Sequence, residues 1–250
     1  MRLSSPNVSA LAVGALIFVA SPSAAQESTD FLFGRPAGMI GIRTGWVMAR
    51  ADSDIFRFVE EQLTLDRKDF NAPSFGIDLD LVVTPRASAV IGFDFSKTSK
   101  NSEYRDLVDN QRLPITQTTS LREMNFSGSV KFALTPRGRE VSSRAWIPAA
   151  VTPYVGAGGG FMRYDFVQFG DFVDIEDDRR PIFTDTFRSD GWTPSAHVFG
   201  GVDLKVWKRL YLSGEGRYLW SKATLERDFI SFDPIDLAGF KATAGVHYLF

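Results

Sequence analysis

The last eleven residues, Phe240–Phe250, read FKATAGVHYLF, and they decide the fold. Phe240, Ala242, Ala244, Val246, Tyr248 and Phe250 share one parity, and Lys241, Thr243, Gly245, His247 and Leu249 share the other. A strand sends alternate residues to opposite faces. One face is therefore apolar to the last residue, while the other is mostly polar. Chain ends are usually polar and frayed, so an aromatic side chain at position 250 needs an anchor.

The same alternation recurs upstream. Runs of period two cover roughly 37–50, 70–83, 87–97, 115–134, 151–168, 192–207, 210–226 and 236–250, which makes eight strands. In 74–83, Phe75, Ile77, Leu79, Leu81 and Val83 oppose Gly76, Asp78 and Asp80. In 123–134, Met124, Phe126, Val130, Phe132 and Leu134 oppose Glu123, Asn125, Ser127, Ser129 and Lys131. The connections are of two kinds. Thr84-Pro85-Arg86 and Lys208-Arg209 are short, and the link 135–150 opens on Leu134–Arg137, a near copy of Val83–Arg86. Proline fixes φ and cannot donate into a ladder, so it ends a strand at a defined place. The segments 51–69, 98–114, 169–191 and 227–235 are long and charged. Short turns on one rim and long loops on the other describe an all-β, closed antiparallel, up-and-down barrel of eight transmembrane strands. Its periplasmic turns are short and its extracellular loops long.

Composition agrees. The chain has 250 residues, with 44% hydrophobic and 23% charged. A transmembrane barrel alternates apolar and polar positions, so its mean hydropathy is unremarkable. A net charge of −2 without a basic stripe argues against a nucleic-acid partner. The absence of cysteine removes disulfides, thiol catalysis and cysteine-ligated metals. At the N-terminus Arg2 precedes an apolar core, SALAVGALIFVA, and then Ser-Pro-Ser-Ala-Ala with Ser23 and Ala25 at the small-residue positions. This is a secretory signal over 1–25, cleaved before Gln26. A periplasmic leader over 26–36 and the barrel domain over 37–250 follow.

Periodicity alone does not say which face is outside. A soluble barrel buries its apolar face, and a membrane barrel its polar one. Three features favour the membrane: apolar runs near the ~9–11 residues of a crossing strand; aromatics near strand ends (Trp46, Tyr154, Tyr164, Tyr218, Trp220, Tyr248, Phe250) as interface girdles; and an apolar face that reaches the carboxyl end. The terminal Thr243-x-Gly245-x-x-Tyr248-x-Phe250 resembles the β-signal of outer-membrane barrels. The chain over about 30–250 looks like the small eight-stranded barrels of the OmpA-type transmembrane-domain superfamily, without a peptidoglycan-binding domain. The resemblance implies recognition of Thr243, Gly245, Tyr248 and Phe250 by the barrel assembly machinery. It also implies residence in the cell outer membrane and contact with outer-membrane lipids and lipopolysaccharide.

With the polar face inward, the interior holds Arg43, Asp78, Asp80, Asp94, Glu123, Lys131, Arg163, Asp165, Asp203, Lys205, Glu215, Arg217 and Lys241. An eight-stranded barrel is just wide enough for side chains to fill, and buried charges need partners. The expectation is a salt-bridged plug; the rival readings are a narrow channel for small solutes and a soluble lipocalin-like binding barrel. The latter lacks its signature, because Gly45 and Trp46 are adjacent. Ser195, His197 and Glu215 contain the residue types of a hydrolytic triad, but on an inward face they do not make one. Gly156–Gly160 lacks the context of a phosphate loop and reads as room for curvature or aromatic packing. The acidic run Asp171, Asp174, Glu176, Asp177, Asp178 has no EF-hand spacing and reads as a solvated loop. No catalytic, cofactor or metal site is expected. Residues 53–63 form an amphipathic helix that either lids the mouth or lies on the lipid. An extracellular ligand would meet the loops 51–69, 98–114, 169–191 and 227–235.

Overall fold

The computed structural model describes residues 31–109, 111–142, 144–174 and 181–250. The signal segment 1–25 and the start of the leader lie outside the described residues, as do Glu176, Asp177 and Asp178 of the acidic run.

Eight strands carry the fold: β1 Gly38–Ala49, β2 Ala72–Val82, β3 Ala87–Val108, β4 Pro114–Ala133, β5 Val151–Val173, β6 Ile182–Lys205, β7 Leu210–Ala223 and β8 Gly239–Leu249. Each pairs antiparallel with its neighbour. The ring closes between β8 and β1, from Gly239↔Ala49 to Leu249↔Met39. Closure removes the sheet edges over the height of the ring, where a strand in lipid cannot leave them open. Phe250 reinforces the seam: its amide donates to the Gly38 carbonyl at 3.0 Å, and its carbonyl accepts from Ala37 at 2.8 Å.

Two expected loops are strands. Most of the described residues of 98–114 and 169–191 continue as paired strands, so β3, β4, β5 and β6 run 22, 20, 23 and 24 residues. The other four run 11 to 14. One side of the barrel therefore stands tall above the other. Polar side chains on both faces of Thr98–Val108 hid that strand, and in the second extension the aromatics Phe172, Phe183 and Phe187, which pack on one another, are set among charged residues without a steady period of two.

The low side is roofed. Helix α1, Asp54–Gln62, buries Ile55, Phe56 and Val59, spaced to share one face. They pack with Leu121, Met162, Tyr164, Phe166 and Leu219, inward-facing residues of the tall wall and β7. The segment 53–63 thus lids the mouth rather than lying on lipid. Asp54 at the helix start also accepts the Asp233 amide at 2.8 Å, tying the first loop to the last.

The periplasmic end is roofed as well. The link 135–150 folds into a hairpin, Gly138–Ser142 with Ala145–Pro148, and leader residues Leu32–Phe33 add a third strand. Leu32 and Trp146 from this small sheet pack on Met39, Tyr211 and Leu249 of the barrel.

Candidate functional site

The lumen is built from the inward parity of each strand. Arg43 of β1 is 4% exposed, Asp94 of β3 3%, Arg217 of β7 5% and Lys241 of β8 8%. The outward parity carries Ile42, Ile77, Ile91, Phe126, Val130, Val155, Val198, Leu212 and Val246, all exposed. A soluble lipocalin-like barrel would bury that row and expose the charges, so this reading is overturned. Trp46, Tyr218, Trp220, Tyr248 and Phe250 stand on the outward parity, joined by Trp192, and Trp207 is exposed in the turn between β6 and β7. Tyr154 and Tyr164, expected in the girdle, instead point inward and are 3% and 1% exposed.

The charged lumen has two tiers. In the middle tier, Arg43 contacts Asp78, reaches Glu215 at 3.1 Å and lies 3.6 Å from Asp94. Asp94 also holds Arg217 and Lys241, each at 3.2 Å. Arg217 binds Glu215 at 2.9 Å, the Tyr154 hydroxyl donates to Glu215 at 3.2 Å, and His247 Nε2 lies 2.7 Å from Asp78. Three basic side chains thus meet three carboxylates. In the lower tier Lys131 pairs with Asp203 at 2.7 Å and Asp80 at 3.3 Å. Arg137 adds 3.6 Å to Asp80 and donates to Ser88 at 2.8 Å. Such balance lets charges stay in a low-dielectric interior.

Glycines shape the space around these tiers. A Cβ on Gly41 would overlap the His247 ring, and one on Gly156 would overlap Phe199. Within the glycine run of β5, Gly156 thus makes room for an aromatic ring, while Gly158 and Gly160 lie against Ser129 and the backbone of β4. Arg217 lies over the Phe199 ring at 5.0 Å, and Lys131 over Tyr154 at 3.8 Å.

The remaining expected residues are placed as follows. Glu123 faces inward and accepts from Ser96 at 2.9 Å. Lys205 keeps the inward register at the lower rim, half-buried, opposite Tyr211. Arg163 and Asp165 are corrections. On β5 the even positions Thr152, Tyr154, Met162, Tyr164 and Phe166 face inward, so 163 and 165 face out. They sit above the apolar band, where the outward face meets headgroups and water and charge is no longer excluded. Ser195, His197 and Glu215 are not brought together: Ser195 donates to Asn125 at 2.7 Å, His197 Nε2 lies 2.8 Å from Ser129, and Glu215 belongs to the arginines. Thr243 and Gly245 of the terminal motif face the lumen, where a Cβ on Gly245 would press on Arg43. Among the described residues no cluster of His, Asp or Glu could hold a metal ion. Sequence reasoning missed Arg137, His247 and Tyr154 as partners of the tiers. The inward parity of His247 and the turn position of Arg137 beside Lys131 were the available signals.

Little space is left between the tiers. A void of about 20 Å³ lies among Arg43, Asp78, Lys131, Tyr154, Glu215 and His247. That suits a single water, which needs roughly 10–15 Å³ by this measure. A larger cavity of about 210 Å³ lies below, between the lower rim and the periplasmic sheet, beside Arg137, Trp146, Thr152 and Asp203.

A closed ring of eight strands, apolar outside and charged inside, defines a small outer-membrane β-barrel. The chain is similar to solved structures. Neisserial surface protein A shares 12% identity over 88% of this chain and 97% of its own, with a TM-score of 0.50. The outer membrane protein OprG from Pseudomonas aeruginosa shares 13% over 88% and 99%, at 0.47. The attachment invasion locus protein Ail of Yersinia pestis shares 11% over 84% and 99%, at 0.40. At 12% identity the likeness to Neisserial surface protein A concerns the fold alone. No protein-family model matches the sequence, and no curated protein matches it.

Proposed function

We propose that this chain is a non-enzymatic integral outer-membrane protein, a sealed scaffold that serves envelope structure or surface interaction through its extracellular hairpins. The observation that supports it is the filling of the lumen above the lower-rim cavity: an apolar lid, two charged tiers, and a water-sized void between the tiers. A narrow channel would need a polar path past Phe56, Met162 and Phe166, and these are 0%, 3% and 0% exposed. In the same reading, residues 1–25 direct export and are cleaved, and Thr243, Gly245, Tyr248 and Phe250 are the address read by the assembly machinery.

Planar-bilayer recording tests this. The folded, full-length chain inserts without discrete conductance. Steps that change in size on Arg217→Ala would establish the channel instead, because Arg217 belongs to the charged tier that fills the middle of the lumen.

A further inference from the structure

Charge returns to the outward wall immediately above the apolar band. Backbone register sets Lys97, Arg122, Asp165 and Asp190 side by side across β3, β4, β5 and β6. Two rows lower on the same face stand Phe93, Phe126, Phe161 and Pro194. The boundary between hydrocarbon and headgroup is therefore sharp on this wall.

Asp165 and Asp190 stand directly opposite each other, a like-charge pairing that costs stability by itself. Arginines hold it together. Arg122 reaches Asp165 at 2.5 Å, Arg163 reaches Asp190 at 3.2 Å, and Arg188 reaches both at 2.9 and 3.5 Å. Arg227 arrives from the last loop, 3.2 Å from Asp190. Four guanidinium groups meet two carboxylates. Asp228, which accepts the Arg188 amide at 2.8 Å, leaves the cations in excess. The carboxylates lie behind, with side chains 11% and 13% exposed, and the arginines lie in front, 38% to 58% exposed. Each guanidinium carries five donors and spends only one or two on the aspartates. Forks held from behind lose little freedom when they take an anion in front.

We propose that this wall is a docking surface for a phosphate-bearing lipid of the outer leaflet, with Arg122, Arg163 and Arg188 gripping its phosphate oxygens. The inference rests on the outer-membrane reading and names a partner for it. Phosphate fits the planar forks in bidentate geometry. A lipid fits better than a soluble anion because the aromatic rows directly beneath would lie along its acyl chains. Trp192, 5.9 Å from the Arg163 guanidinium, marks the interface between the two zones.

The test uses the full, folded chain in a neutral detergent and measures lipid retention by native mass spectrometry. Two probes are compared, a diphosphorylated lipid A and the same lipid after enzymatic dephosphorylation. Wild type retains the phosphorylated form, and the double substitution Arg163→Gln, Arg188→Gln weakens retention about 30-fold. Equal retention of both lipids by wild type overturns the proposal, and so does displacement by inorganic phosphate at matching concentration, which would assign a soluble anion. Should the variant not fold, the wild-type comparison still decides. Failure of the outer-membrane reading looks different: no heat-modifiable form appears in detergent at all.

Discussion

Asp94→Ala destabilises the barrel by about 3–5 kcal/mol, the range for breaking a buried ion pair from one side. Among the described residues, Asp94 alone is in contact with all three basic side chains of the middle tier, Arg43, Arg217 and Lys241. Without it, those cations share Asp78 and Glu215, and one positive charge is left in a space where its side-chain neighbours are 10% exposed or less. Urea unfolding in detergent micelles, followed by the boiled-versus-unboiled gel shift, reads the change. A second substitution, Lys241→Met, restores the charge count and recovers much of the loss, because contacting sites are not additive. A single-variant loss below about 1 kcal/mol, the scale of an exposed pair, would mean that water reaches the tier.

The second large effect belongs to the lid. Phe56→Ala removes the ring that sits 4.6 Å from Phe70 and 6.3 Å from Phe166. Truncating a fully buried Phe costs about 3–5 kcal/mol. That cost falls on the lid rather than the barrel, since α1 is held by side-chain packing and by few bonds to the sheet. Amide hydrogen exchange over Asp54–Gln62 therefore speeds up by orders of magnitude, while β1 to β8 keep their protection. Unchanged exchange in α1 would show that the lid is held by something other than this apolar contact.

The membrane-crossing part of the barrel was legible because its two environments are fixed. Lipid outside and polar lumen inside give a strict period of two, as in Phe75 to Val83 and Met124 to Leu134. Above the band the environments swap. Outward positions meet headgroups and water, so Arg163 and Asp165 face out. Inward positions meet the lid, so Met162, Tyr164 and Phe166 are buried apolar residues. The alternation persists there with its meaning inverted, and a reading that assigns charge to the interior fails at that level. Apolar residues on the inward parity at 121, 162, 164, 166 and 219 are the sequence trace of the lid, and they find their partner only in the 53–63 helix. The periplasmic sheet was not legible for another reason. Leu32 pairs with Trp146 across more than a hundred residues, and neither short segment carries a pattern of its own.

The central claim is the direction of the two faces, and neighbouring residues of β4 test it most directly. The chain has no cysteine, so single cysteines at Val130 and Ser129 can each carry a nitroxide in the reconstituted protein. Val130 is 62% exposed on the outward parity, and Ser129 points inward toward His197 at 2.8 Å. The account predicts that the label at 130 collides freely with oxygen dissolved in the bilayer and not with a water-soluble nickel complex, while the label at 129 is reached by neither. Accessibility of 130 to the nickel complex, or of 129 to oxygen at the level of 130, would contradict it.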